Sequence, residues 1–201
     1  MPDPARRLVV VLLALTIAVG GAACSKKEKE ARPRLTPTTA PGAINLIVVP
    51  APNTPAAVKD ATQALLQRYL DDAILAPLRS GGPAPDLGGL FTAETAPRVT
   101  TGDRAALVGE GMPSARGGVE ADAASATLTP LVVGGGQVPL VVAEIDLRLR
   151  ALDVEGSGVT VAQHGELLLV PEGAGWRIGG YDMLTTRDTP AGTTTTTAVK
   201  R

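Results

Sequence analysis

Glu144-Ile145-Asp146-Leu147-Arg148-Leu149-Arg150 alternates charge and aliphatic carbon without a break. Successive side chains of a β-strand point to opposite faces, so this run predicts a strand with Ile145, Leu147 and Leu149 buried and Glu144, Asp146, Arg148 and Arg150 wet. Reading backwards, the turn Gly134-Gly135-Gly136 separates it from a strand in which Thr127, Thr129 and Leu131 alternate with Ala126, Leu128 and Pro130. Reading forwards, Glu155-Gly156-Ser157-Gly158 opens a strand over 159–170, and Glu172-Gly173-Ala174-Gly175 turns into a last one over 176–187. From Val119 onward the pattern therefore predicts four antiparallel strands joined by glycine turns.

Upstream the period changes. Ala61, Leu65, Leu66, Tyr69, Leu70, Ala73 and Ile74 recur at three- and four-residue spacing, while Asp60, Gln63, Gln67, Arg68 and Asp71 fall mostly on the other side. That is an amphipathic helix. Thr54 is its expected cap, Pro55 its first residue, and Pro77 with Gly81-Gly82-Pro83 its stop. A second short helix is expected over 104–108, capped by Asp103 and stopped by Gly109, Gly111 and Pro113. Helices first and strands afterwards predict an α+β domain with the helices on one face of the sheet.

The N-terminus has another character. Arg6 and Arg7 precede twelve apolar or near-apolar residues (8–19), then Gly20-Gly21-Ala22-Ala23 and Cys24. As a helix, such a run covers ~18 Å, short of the ~30 Å hydrocarbon core, and reads as a secretory signal instead of a span. Cys24 is the only cysteine. With Ala22-Ala23 before it and Ser25-Lys26-Lys27 after it, the segment resembles the lipobox of bacterial lipoproteins. That resemblance implies cleavage before Cys24 and a diacylglyceryl thioether on its sulfur, which would fix the chain to the outer side of a cell membrane. Each buried methylene contributes ~0.8 kcal/mol, so two or three acyl chains anchor a soluble domain durably.

The expected organisation is then a signal peptide (1–23), a lipidated tether (24–55), a domain of about 130 residues over 56–188 with one core, and a tail (189–201). The tether carries five basic and two acidic residues and six prolines, and reads as an extended linker. Within it Ile44-Asn45-Leu46-Ile47-Val48-Val49 is too apolar for water and is expected against the domain as an edge strand or cover. The tail, with five consecutive threonines, has no core-forming content and is expected to be disordered. The domain holds 10 Lys/Arg against 17 Asp/Glu, a net of −7. With only Tyr69, Phe91, Trp176 and Tyr181 as aromatics, this argues against nucleic-acid binding. One histidine and one cysteine exclude multi-histidine and thiolate-cluster metal sites, and no cofactor motif is present. Gly134-Gly135-Gly136 leads into a strand, not a helix N-terminus, and so is a turn and not a phosphate cradle.

Helix-then-meander order, with the closing run Gly175-Trp176-Arg177-Ile178-Gly179-Gly180-Tyr181-Asp182-Met183, resembles the NTF2-like (SnoaL-like) superfamily. The resemblance spans about 54–187. It implies a cone in which a long first helix lies across a curved sheet, with a cavity between them. The superfamily hosts enzymes, carriers and assembly modules, so the fold by itself implies no activity. Trp176 is expected to be a packing anchor.

His164 is the residue on which acid–base chemistry would rest, with Asp182 and Tyr181 on the neighbouring strand as partners. Thr160, Ala162, His164, Glu166, Leu168 and Val170 share one face; Val161, Gln163, Gly165, Leu167 and Leu169 share the other. Period two does not decide which is inside, and a solvated histidine is the default. Ser80, Ser114, Ser125 and Ser157 have no nucleophile-elbow setting. The expected function is non-catalytic binding or envelope assembly by a membrane-anchored lipoprotein, with an envelope protein or an apolar small molecule as partner. The alternatives are a small acid–base enzyme using His164, and a carrier of an apolar ligand.

Overall fold

The computed structural model describes residues 43–189 and 192–200. Cys24, the expected signal peptide and the basic part of the expected tether lie outside the described residues. The domain is α+β: a six-stranded, mostly antiparallel sheet in the order β1-β2-β3-β4-β5-β6 with its helices on one face. β2 (Gly118–Leu131), β3 (Leu140–Leu152), β4 (Gly158–Glu172) and β5 (Gly175–Asp188) are the four strands read from alternation. Val141, Ala143, Ile145, Leu147, Leu149 and Ala151 of β3 are buried, and the charged residues between them are exposed.

Two further strands raise the count from four to six, the first where an edge strand or cover was expected and the second where none was. β1 (Ile47–Pro50) pairs in parallel with β2, from Ile47 opposite Ser125 to Pro50 opposite Leu128. Ile44 and Leu46 just before it are buried, and Gln67 fixes the segment by accepting from Leu46 N (2.9 Å) and donating to Ile44 O (3.0 Å). The folded unit therefore starts ahead of Ala56, because this apolar stretch finds an open sheet edge. β6 (Thr194–Lys200) lies in the stretch expected to be disordered and pairs antiparallel with β5, Asp188 opposite Thr194 through Asp182 opposite Lys200. Threonine is β-branched and suits a pleated edge even without apolar alternation. Val199 supplies the one buried anchor.

α1 (Ala56–Arg68) runs through a π-helical stretch (Tyr69–Leu75) into α2 (Ala76–Ser80). Leu65, Leu66, Tyr69, Leu70, Ala73, Ile74, Leu75 and Leu78 turn one face of this rod to the core. Thr54 does not cap it: its hydroxyl donates to Ala51 O (2.7 Å) in the preceding turn. α3 (Ala96–Thr101) and α4 (Arg104–Leu107) follow. After α4 the chain passes so close to the rod that Gly109 N donates to Ala73 O (2.9 Å), and a Cβ at Gly109 would lie 2.5 Å from Ile74 O. Only glycine fits there.

Two bulges interrupt the ladder, one between Ala121 and Ala123 of β2 and one at Gly179 of β5. The second changes the alternation of β5, so that Ile178 and Tyr181, three apart, both face inward. Its freed carbonyl, Gly179 O, accepts from Thr95 Oγ1 (2.9 Å). Beside it, Ile178 exchanges backbone hydrogen bonds with Leu90 and Thr92, so loop residues cover the sheet edge where β6 does not reach. Trp176 is half-buried against the core.

Candidate functional site

Of the residues singled out for acid–base chemistry, His164 and Asp182 share the outer face and line one depression with no hydrogen bond between them, and Tyr181 lies on the other face. β4 buries Val161, Gln163, Leu167 and Leu169, which puts His164 on the exposed outer face. His164 stands opposite Asp146 on β3 and Leu184 on β5, and its imidazole makes no hydrogen bond to another described residue. Asp182 is also on the outer face, opposite Glu166 and paired with Lys200 Nζ at 3.1 Å. Tyr181 faces the other way, buried, donating to Asp103 Oδ2 at 2.7 Å and edge-on to Phe91 (centroids 6.4 Å apart, 87°). A base and its orienting carboxylate must touch. Here the sheet itself separates the hydroxyl from the imidazole. Asp103, expected as the cap of α4, makes no capping bond and holds Tyr181 instead.

Behind the inner face lies a buried polar cluster. The last carbonyls of a helix have no partner within it, and α4 is so short that its carbonyls need partners elsewhere. Ala106 O accepts from Gln163 Nε2 (2.9 Å) and Thr185 Oγ1 (2.6 Å). Gln163 Nε2 also donates to Thr185 Oγ1 (3.2 Å). The Tyr69 hydroxyl lies 2.8 Å from Leu107 O and 3.0 Å from Gln163 Oε1, two acceptors for its one proton. Arg187 NH2 donates to Ala105 O (2.6 Å) and Val108 O (2.9 Å). Tyr69, Gln163 and Thr185 are each at most 2 % exposed, so the space where helix and sheet face each other is occupied by side chains at this point. Burial pushes the Tyr69 phenol well above the usual tyrosine range, with the Gln163 hydrogen bond opposing it. Gln163 is the member that sequence could have flagged: a lone amide between Val161 and Leu167 on a buried face must find partners.

Among the described residues, two open depressions bear on these side chains. One, of about 580 Å³, is on the outer face among His164, Glu166, Asp182, Leu184 and Lys200. It adjoins a row of in-register carboxylates, Glu144 opposite Glu166 opposite Asp182. The other, of about 590 Å³, is a groove on the inner side of the β6 edge. β5 gives it Arg187, the turn after β5 gives Thr189, β6 gives Thr195 and Thr197, and α4 with the following loop gives Arg104, Ala105, Glu110 and Met112. Arg104 and Glu110 form a two-point ion pair on its wall, and Glu110 also accepts from Ala84 N. The Arg104 hydrogen bond holds the Glu110 carboxyl below its usual value against the opposing effect of burial, and raises the Arg104 guanidinium in turn. Burial lowers the Arg187 guanidinium from its ordinary value.

Among the described residues no group of three or more His, Cys, Asp or Glu is placed to hold a metal ion, and no helix is long and apolar enough to cross a membrane. No family model, curated protein or solved structure matches this chain.

Proposed function

We propose that this chain is a lipid-anchored protein of the extracytoplasmic membrane face whose α+β domain, an NTF2-like cone in our reading, works by binding or assembly and not by catalysis. The observation that carries the non-catalytic part is the filled interior. Tyr69, Gln163 and Thr185 spend their polar atoms on one another and on the α4 carbonyls, in the place where a cone enzyme would keep a reaction cavity. The separation of His164 from Tyr181 by the sheet supports the same choice. The cone reading is supported by the long first helix, the antiparallel meander that follows it, and two bulges of the kind that bend strands.

The anchor rests on the sequence: Arg6-Arg7, the apolar run, Ala22-Ala23 and a solitary Cys24 in lipobox order. The basic residues after Cys24 would favour anionic headgroups by ~1 kcal/mol per charge near the surface. Fractionation of cells expressing the wild type and Cys24→Ser tests it. The wild type should sediment with membranes and the variant should be released. Equal sedimentation of both would refute the anchor.

A further inference from the structure

We propose that the groove between α4 and β6 binds a small carboxylate, with Arg187 as its counter-ion and the Thr195 and Thr197 hydroxyls as further donors. Arg187 is half-buried, and no Asp or Glu among the described residues lies within ion-pair distance of it. Its NH2 is spent on Ala105 O and Val108 O. Its Nε is buried without an acceptor, and NH1 donates to no described residue. A half-buried cation without a counter-charge is less well solvated than one in water, and capping α4 leaves NH1 unused.

The rest of the groove fixes the class of ligand. Arg104 and Glu110 neutralise each other, which leaves a net charge of +1 from Arg187. A monoanion matches this. A phosphate dianion would bring a second negative charge beside Glu110. Thr195 and Thr197 point into the groove from the open end of β6, and neither hydroxyl is engaged by another described residue. Met112, Ala105 and the threonine methyls offer apolar contact to a short hydrocarbon body. Nε is closed off from the groove and NH2 is engaged, so NH1 is the donor left to make a charge-assisted hydrogen bond to a carboxylate. The inference deepens the binding reading and is independent of the anchor: an inert groove would leave lipidation untouched, and a failed anchor would leave the groove untouched.

The test is titration of the full chain, carrying Cys24→Ser to keep it out of membranes, with sodium hexanoate, followed by amide chemical shifts. We expect saturable shifts confined to 104–112, 187–189 and 195–197, with hexan-1-ol and phosphate producing far smaller ones. Arg187→Met should weaken binding at least about tenfold, the order expected for loss of a charged partner. Because Arg187 also caps α4, the pair Thr195→Val with Thr197→Val serves as the second variant. It should weaken binding several-fold with an unchanged urea midpoint. No saturable shift in the groove, equal binding of hexan-1-ol, tighter binding of phosphate, or hexanoate binding that neither variant alters would each overturn the proposal.

Discussion

The hydroxyl of Tyr181 donates to Oδ2 of Asp103 across 2.7 Å, both residues buried, on the side of the sheet away from His164. This bond ties the last long strand to the start of α4 and uses the hydroxyl for structure. Tyr181→Phe removes the donor from a buried carboxylate and should cost about 1–3 kcal/mol in urea unfolding. His164→Ala, on the exposed face, should stay within about 0.5 kcal/mol of wild type. If the two variants were equally destabilised, the assignment of inner and outer faces would be wrong.

Gln163 is the hub of the buried cluster. Gln163→Leu keeps the approximate volume but removes two hydrogen bonds, to Ala106 O and Thr185 Oγ1, and takes one acceptor from Tyr69. A loss of about 1–3 kcal/mol is expected. Combined with Tyr69→Phe, the double variant should lose less than the two singles added, since each removes the same Tyr69–Gln163 contact. Strict additivity would show that the contact contributes nothing.

Stability should fall at both pH extremes, for different residues. Burial raises the Tyr69 pKa above its unfolded value of ~10, so the folded state keeps a proton that the unfolded chain gives up. That contribution is complete below pH ~10 and is lost as pH rises beyond it. Tyr69→Phe should flatten the alkaline limb of a Tm–pH curve. Glu110 is shifted the other way by Arg104, so its contribution is present above the unfolded glutamate value of ~4.3 and is lost as pH falls further. Glu110→Gln should flatten the acid limb. Unchanged limbs would remove these two residues from the pH response.

β6 should behave as an edge strand held by one anchor. Val199→Asp puts a charge where a side chain is 9 % exposed and should detach Thr194–Lys200 from β5, lowering Tm and speeding amide exchange along β5 from Asp182 to Asp188. Thr196→Asp, on the exposed face of the same strand, should leave both nearly unchanged. Exchange in 194–200 as fast as in an unstructured peptide, already in the wild type, would refute β6.

The sheet was legible where alternation is strong. Glu144 to Arg150 announces β3, and the glycine turns place its neighbours, because burying one face of a strand imposes period two on its sequence. Alternation cannot detect a strand that buries almost nothing, which is why the threonine run of β6 reads as a tail. Nor can it carry phase through a bulge: Gly179 shifts β5, so the inward direction of Tyr181 is hidden from any count begun at Ile178. The parallel pairing of β1 joins residues nearly 80 positions apart and leaves no local mark. The polar cluster is of the same kind, with Gln163 and Thr185 meeting Ala106 only after the chain has folded back. A polar residue on an apolar face says that a partner exists, not which one.

The most direct test of the central claim is the mass of the N-terminal peptide of the protein extracted from membranes. We expect the chain to begin at Cys24, with residues 1–23 removed and a diacylglyceryl group, with or without a further acyl chain, on the cysteine. An N-terminus still carrying 1–23, or a Cys24 recovered as an unmodified thiol in the soluble fraction, would contradict it.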